Sequence, residues 1–200
     1  VTSWHSTIFA PYFVIGAVHS GVAAVVIVMI LLRWIFGWKD YLRPEHFDAL
    51  GRLLIVVATG WFFFFAMEFI FGLYAQHSDE IAVRTFQADL TQGVTTWNAL
   101  FVVFMATTYF IPVTMWLFKG VRRNPWLMLS ACVFVNIGMW LERLVIIVPG
   151  LARKQGLSFS WTEYTPSAIE ITIVGGTFAL VSMLLLLFAK AFPLIPLYDI

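Results

Sequence analysis

Charge is what this sequence has least of. Asp, Glu, Lys and Arg together make up 12% of its residues, and 61% are apolar. Soluble domains carry about a quarter charged residues and about half apolar ones. The excess of apolar side chain is too large to fold inside a water-soluble domain of this length, which points to an integral membrane protein. Cysteine is nearly missing as well. Cys132 stands alone in an apolar run, so the chain has no internal disulfide, no CxxC pair and no cysteine-held iron–sulfur cluster. It reads as a small packing residue. Histidines are few, and only His19 lies deep. A bis-histidine haem needs two at matching depth on different helices, which argues against a haem held by this chain alone. No metal site is expected, and any redox centres belong to partner subunits. There is no Walker motif. No basic tract marks nucleic acid, and a net charge of +1 names no partner. No internal repeat is visible. Val1 follows neither an initiator Met nor a cleavable signal pattern, so a segment of a longer subunit is expected.

What is present is a series of long apolar runs. They predict an all-α, polytopic transmembrane helix bundle: four helices in a bundle plus one flanking helix. The whole chain, 1–200, reads as a single transmembrane domain. The expected helices cover about 7–36, 47–76, 95–119, 125–148 and 167–190. Pro112 predicts a kink in the third. Gly120 to Asn124 reads as a turn, and Pro149-Gly150 as the end of the fourth helix. Two polar connections remain, 77–92 and 151–166, the second with a possible interfacial piece at 158–164. Arg33, Lys39, Arg43, Arg52, Lys119, Arg122, Arg123 and Lys190 fall on one side. Arg84, Arg153 and Lys154 fall on the other. The excess of cations places the first side and the C-terminus in the cytoplasm, and Val1 outside. Trp4, Trp34, Trp38, Trp126 and Trp161 fall near the expected membrane surfaces.

The few polar residues inside these runs are the candidate site. Glu142 and Arg143 lie side by side in the fourth helix, where a charge costs about 2.5–3.5 kcal/mol on insertion scales. Adjacent residues point about 100° apart on a helix, so the two are expected to have different partners. Glu68 in the second helix and Glu170 in the fifth fall within about 10 Å of Glu142 in depth at 1.5 Å per residue. One arginine with three carboxyls is expected to form a single polar cluster. It serves either as an ion-pair knot fixing helix register or as a proton route. His5, Tyr12 and His19 recur at steps of seven along the first helix and share a face. Gly16, Ser20 and Ala23 widen that face. It is either a small-residue packing face or a quinone-facing, proton-carrying one.

Four blocks of residues carry a family likeness. They are Trp4 to Val14, Lys119 to Asn124, Asn136 to Val148, and Trp161 to Ser167 followed by Glu170 and Gly176-Thr177-Phe178. Together they resemble the NrfD/PsrC-like membrane subunits, and among these most nearly the ActC subunit of bacterial alternative complex III. The chain resembles the back half of such a subunit. The resemblance implies a membrane subunit of a quinol:electron-acceptor oxidoreductase in the bacterial inner membrane. Menaquinol or another quinol would be its substrate. Its partners would be an iron–sulfur protein, c-type cytochromes and a second NrfD-like subunit, alongside lipid and quinone. The iron–sulfur clusters and haem c would sit in those partners, with no cofactor bound by this chain. A proton route through Glu68, Glu142, Arg143 and Glu170 fits that setting. A passive membrane anchor for the peripheral redox subunits is the alternative. A secondary transporter would need broken helices about a midplane site, and Pro112 is the only deep interior proline.

Overall fold

The structure is a computed structural model, and it describes residues 6–75, 81, 83–85, 96–152 and 166–192. The chain divides into two compact units, Val1–Trp161 and Thr162–Ile200. Five helices are long and apolar enough to cross a membrane, and no strand occurs among the described residues. The all-α polytopic reading holds.

In the first unit, α1 spans Phe9–Ile35 and α2 spans Pro44–Tyr74. A continuous rod, α3, joins Thr96–Met105, a π-helical turn Ala106–Phe110 and Ile111–Leu117. A single helical turn, α4, covers Lys119–Arg123, and α5 covers Pro125–Ala152. α1 packs on α2 and α5, and α3 packs mainly on α5. α1 and α3 occupy opposite corners of the bundle.

The seams follow a heptad. α1 buries Tyr12, Gly16, His19, Ala23, Val26 and Ile30, at alternating steps of four and three. α2 buries Gly51, Leu54, Ala58, Trp61 and Glu68 in the same register. α5 buries Met128, Cys132, Val135, Met139 and Glu142 likewise. A 3.5-residue seam keeps one stripe facing its neighbour along a left-handed crossing. Lipid tails are as apolar as these side chains, so association rests on close packing rather than on escape from water. That is why Gly16, Ala23, Gly51 and Ala58 stand on the seams.

Local chemistry moved several expected boundaries. α2 starts at Pro44 rather than near Phe47, because proline presets φ and its missing N–H is an orphan in a first turn anyway. His46 therefore belongs to that first turn and not to a connection. α1 ends at Gly37, whose φ of +68° lets the chain leave in the left-handed conformation. Pro112 produces a π-turn before it rather than a bare kink: the Ile111 N–H donates to Ala106 O, five residues back. The expected turn at Gly120–Asn124 is mostly helical. α5 runs through Pro149 to Ala152, since a proline this close to a helix end removes only one late hydrogen bond.

The clamp at the basic end of the bundle joins α2, α3 and α4. Arg122 Nε donates to Asp48 Oδ1 at 2.7 Å, and Arg122 Nη1 donates to the carbonyls of Trp116 and Leu117 that end α3. Arg52 pairs with the same aspartate. Gly51 makes room: a Cβ there would lie 2.8 Å from Arg122 Cδ.

The second unit holds α6, Ala168–Ala191, whose described residues bury nothing within it. Ser167 and Glu170 close a capping box at its start, the Ser167 hydroxyl accepting from the Glu170 N–H at 3.3 Å and Glu170 Oε2 accepting from the Ser167 N–H at 2.7 Å. Ser167→Ala is expected to cost about 0.5–2 kcal/mol of local helix stability. Amide exchange in the first turn of α6 should speed up accordingly.

Candidate functional site

The heptad places a carboxyl where a core residue belongs. Glu142 continues the α5 seam and is 1% exposed. Its Oε1 accepts from two donors on two other helices: the Tyr12 hydroxyl of α1, and Trp61 Nε1 of α2 at 3.0 Å. The Tyr12 and Trp61 rings stack at 6.2 Å between centroids, which fixes both donors. Three of the four bundle helices thus meet on one carboxyl oxygen. A buried carboxyl survives only when hydrogen-bonded in this way.

Arg143 is one residue on and points elsewhere. Its guanidinium lies 4.1 Å from the centre of the Phe13 ring, a close cation–π contact. Among the described residues it makes no ion pair. The expected single cluster is therefore corrected: Glu142 and Arg143 part, as helix geometry requires, and Arg143 is not the cation for Glu68.

That cation is Arg84. Arg84 Nη2 lies 3.3 Å from Glu68 Oε1 and also donates to the Glu68 carbonyl at 3.4 Å. Both residues are 8% exposed. Ser6 Oγ donates to the other carboxyl oxygen at 2.5 Å. Arg84 also stands 5.4 Å from the Phe69 ring centre. From the sequence it reads as a residue of a polar connection on the outer side. The structure instead folds it back against α2. A signal was there: a lone carboxylate deep in an apolar helix needs a cation, and Arg84 is the first one after Glu68 in the chain.

Tyr12 stands between the two carboxyls: it donates to Glu142 and lines a cavity together with Glu68. Tyr12, Glu68 and Arg84 line one cavity, closed by Phe65, Phe104 and Val145, with about 20 Å³ of room. That volume holds one water. It is far below the roughly 300 Å³ of a small-ligand pocket, so a quinone ring does not fit there. The arrangement can pass or hold a proton between Glu68, a water, the Tyr12 hydroxyl and Glu142.

His19 lies one heptad beyond Tyr12 along the α1 seam and is fully buried. Trp61 and Trp116 flank it at 6.3 and 6.4 Å between ring centroids. Neither ring nitrogen has a hydrogen-bond partner among the described residues. It joins no carboxyl. Glu170 belongs to the second unit, where it caps α6. His5 lies outside the described residues, as do His77 and the expected interfacial piece at 158–164. No group of three or more His, Cys, Asp or Glu that could hold a metal occurs among the described residues.

The sequence profile described as polysulphide reductase, NrfD, matches residues 1–154. The chain belongs to the NrfD family. NrfD proteins are membrane subunits of multi-subunit, quinone-linked redox complexes. The matched stretch contains Tyr12, Glu68, Arg84, Glu142 and Arg143 and ends before α6. The comparison with curated proteins gives no match.

Proposed function

We propose that this NrfD-family chain is a membrane subunit of a quinol:acceptor oxidoreductase of the alternative complex III type, and that it handles protons at the site where Tyr12 joins Glu68 to Glu142. Menaquinol is the substrate of the complex in this reading. Its oxidation releases two electrons and two protons. The electrons leave through iron–sulfur and haem c groups of partner subunits, and the protons pass to carboxyls such as Glu68 and Glu142. The basic end of the bundle faces the cytoplasm, and the Glu68 end faces outside.

One observation carries the reading. The Tyr12 hydroxyl donates to the buried Glu142 carboxyl while the same side chain lines the single-water cavity beside Glu68. A chain of carboxyl, water, phenol and carboxyl is the kind of path along which protons move in membrane proteins. A passive anchor needs no such chain.

The test is Glu142→Gln in the assembled complex. Gln keeps an oxygen for Tyr12 and Trp61 to donate to but cannot take a proton. Turnover with quinol is expected to fall about 10²-fold, the low end of what a positioned proton acceptor contributes. Proton release should fall with it while subunit composition stays intact. An assembled variant with normal turnover and normal proton release supports the anchor instead.

A further inference from the structure

The basic end of the bundle holds a second cavity, which the carboxyl site does not use. Arg33 stands in the last turn of α1, and Lys39 follows just past Gly37. With Trp34, Trp126, Ile30 and Pro125 they line a cavity of about 160 Å³. Among the described residues no carboxylate lines it. Arg33 faces the Phe47 ring at 5.8 Å, and its Nη1 is buried without a hydrogen-bond partner among the described residues. A buried guanidinium N–H left without an acceptor is costly. Two cations with no carboxylate in the lining leave a positive charge that an anionic group from outside the chain would offset.

Position narrows the choice. α1 and α5 are both apolar enough to cross a membrane, and the cavity lies where α1 ends and α5 begins. That is headgroup depth. Trp34 and Trp126 are 69% and 62% exposed, as indoles at a membrane surface are. The start of α5 adds partial positive charge. Ile30 and Pro125 supply apolar wall.

We infer that this cavity binds the headgroup phosphate of an anionic glycerophospholipid. Arg33 and Lys39 hold the phosphate oxygens, and the two indoles flank the glycerol region. Basic pockets between transmembrane helices favour such headgroups. Free phosphate offers the same oxygens but nothing for the apolar wall.

The test uses the full chain, or the complex containing it, in nanodiscs of phosphatidylcholine with a minor fraction of phosphatidylglycerol. Native mass spectrometry reads which lipid stays bound. The unsubstituted protein should retain phosphatidylglycerol over phosphatidylcholine. Lys39→Gln should weaken retention about fivefold, and Arg33→Gln with Lys39→Gln about thirtyfold, given the contribution of each cation near a membrane surface. Lys119→Gln, outside the cavity, should change nothing. Lys39 is exposed, so its single variant carries the test if the double variant does not fold. Equal retention of both lipids, an equal loss with Lys119→Gln, or displacement of the lipid by millimolar inorganic phosphate would each overturn the inference.

Discussion

Arg84→Met should unfold the Glu68 end of the bundle well below the temperature at which the unsubstituted protein does so. The substitution keeps the length and apolar stem of the side chain but removes its charge. Glu68 then stays buried with its main counter-charge gone, and among the described residues only Ser6 still donates to it. Breaking a buried pair by removing one partner costs about 3–5 kcal/mol, because the other charge stays buried and uncompensated. For a chain of this size that is a fall of about 10 °C in thermal midpoint. The double variant, Glu68→Gln with Arg84→Met, should recover most of the loss, since replacing both partners of a buried pair is often neutral or better. A double variant no more stable than the single one would show that the pair is not the source. Thermal unfolding of the detergent-purified protein, run on all four members of the cycle, measures this directly.

Gly138→Ala should destabilise the packing of α3 on α5, against the sign that helix propensity predicts. Ala is favoured over Gly in a helix interior by about 1 kcal/mol. A Cβ at position 138, however, would lie 2.6 Å from Thr107 Oγ1 and 2.7 Å from the backbone nitrogen of Thr108. Thr108 belongs to the π-turn, so its main chain cannot swing aside as a flexible side chain could. The two helices must separate, and overpacking of this kind costs about 1–3 kcal/mol or more. The steric cost wins. Gly21→Ala is the control. It lies in α1 with nothing within 4 Å of the added carbon, so it should gain up to about 1 kcal/mol. If the two substitutions shift the thermal midpoint equally and upward, close approach at Gly138 is not what holds α3 on α5.

The spans were legible because the membrane leaves little choice. Backbone polar groups have no water to bond in hydrocarbon, so a long apolar run must be a helix. The steps of seven between Tyr12 and His19 likewise mark one α1 face, and the structure buries it. The separation of Glu142 from Arg143 also followed from helix geometry alone. The family likeness rested on blocks such as Asn136 to Val148, and the family match over residues 1–154 agrees with it.

Partners were not legible in the same way. Depth along a helix can be counted, but rotation about the bundle cannot. Depth therefore grouped Glu68, Glu142, Arg143 and Glu170 as one cluster. Packing gave Glu142 a tyrosine and a tryptophan, and gave Arg143 a phenylalanine ring. The same limit hid the π-turn, whose widened backbone is tied to Gly138 on another helix.

The sequence by itself determined that this is an all-α membrane protein of the NrfD kind with rare carboxyls deep in its helices. Hydropathy and period act within a single helix, so one strand of text contains them. Only the tertiary structure decided which groups answer those carboxyls. Arg84 reaches Glu68 because residues 83–85 lie against α2, and Tyr12 reaches Glu142 because two heptad seams meet. Those are contacts between residues 16 and 130 positions apart. They depend on how helices rotate and close on one another, which no local pattern encodes.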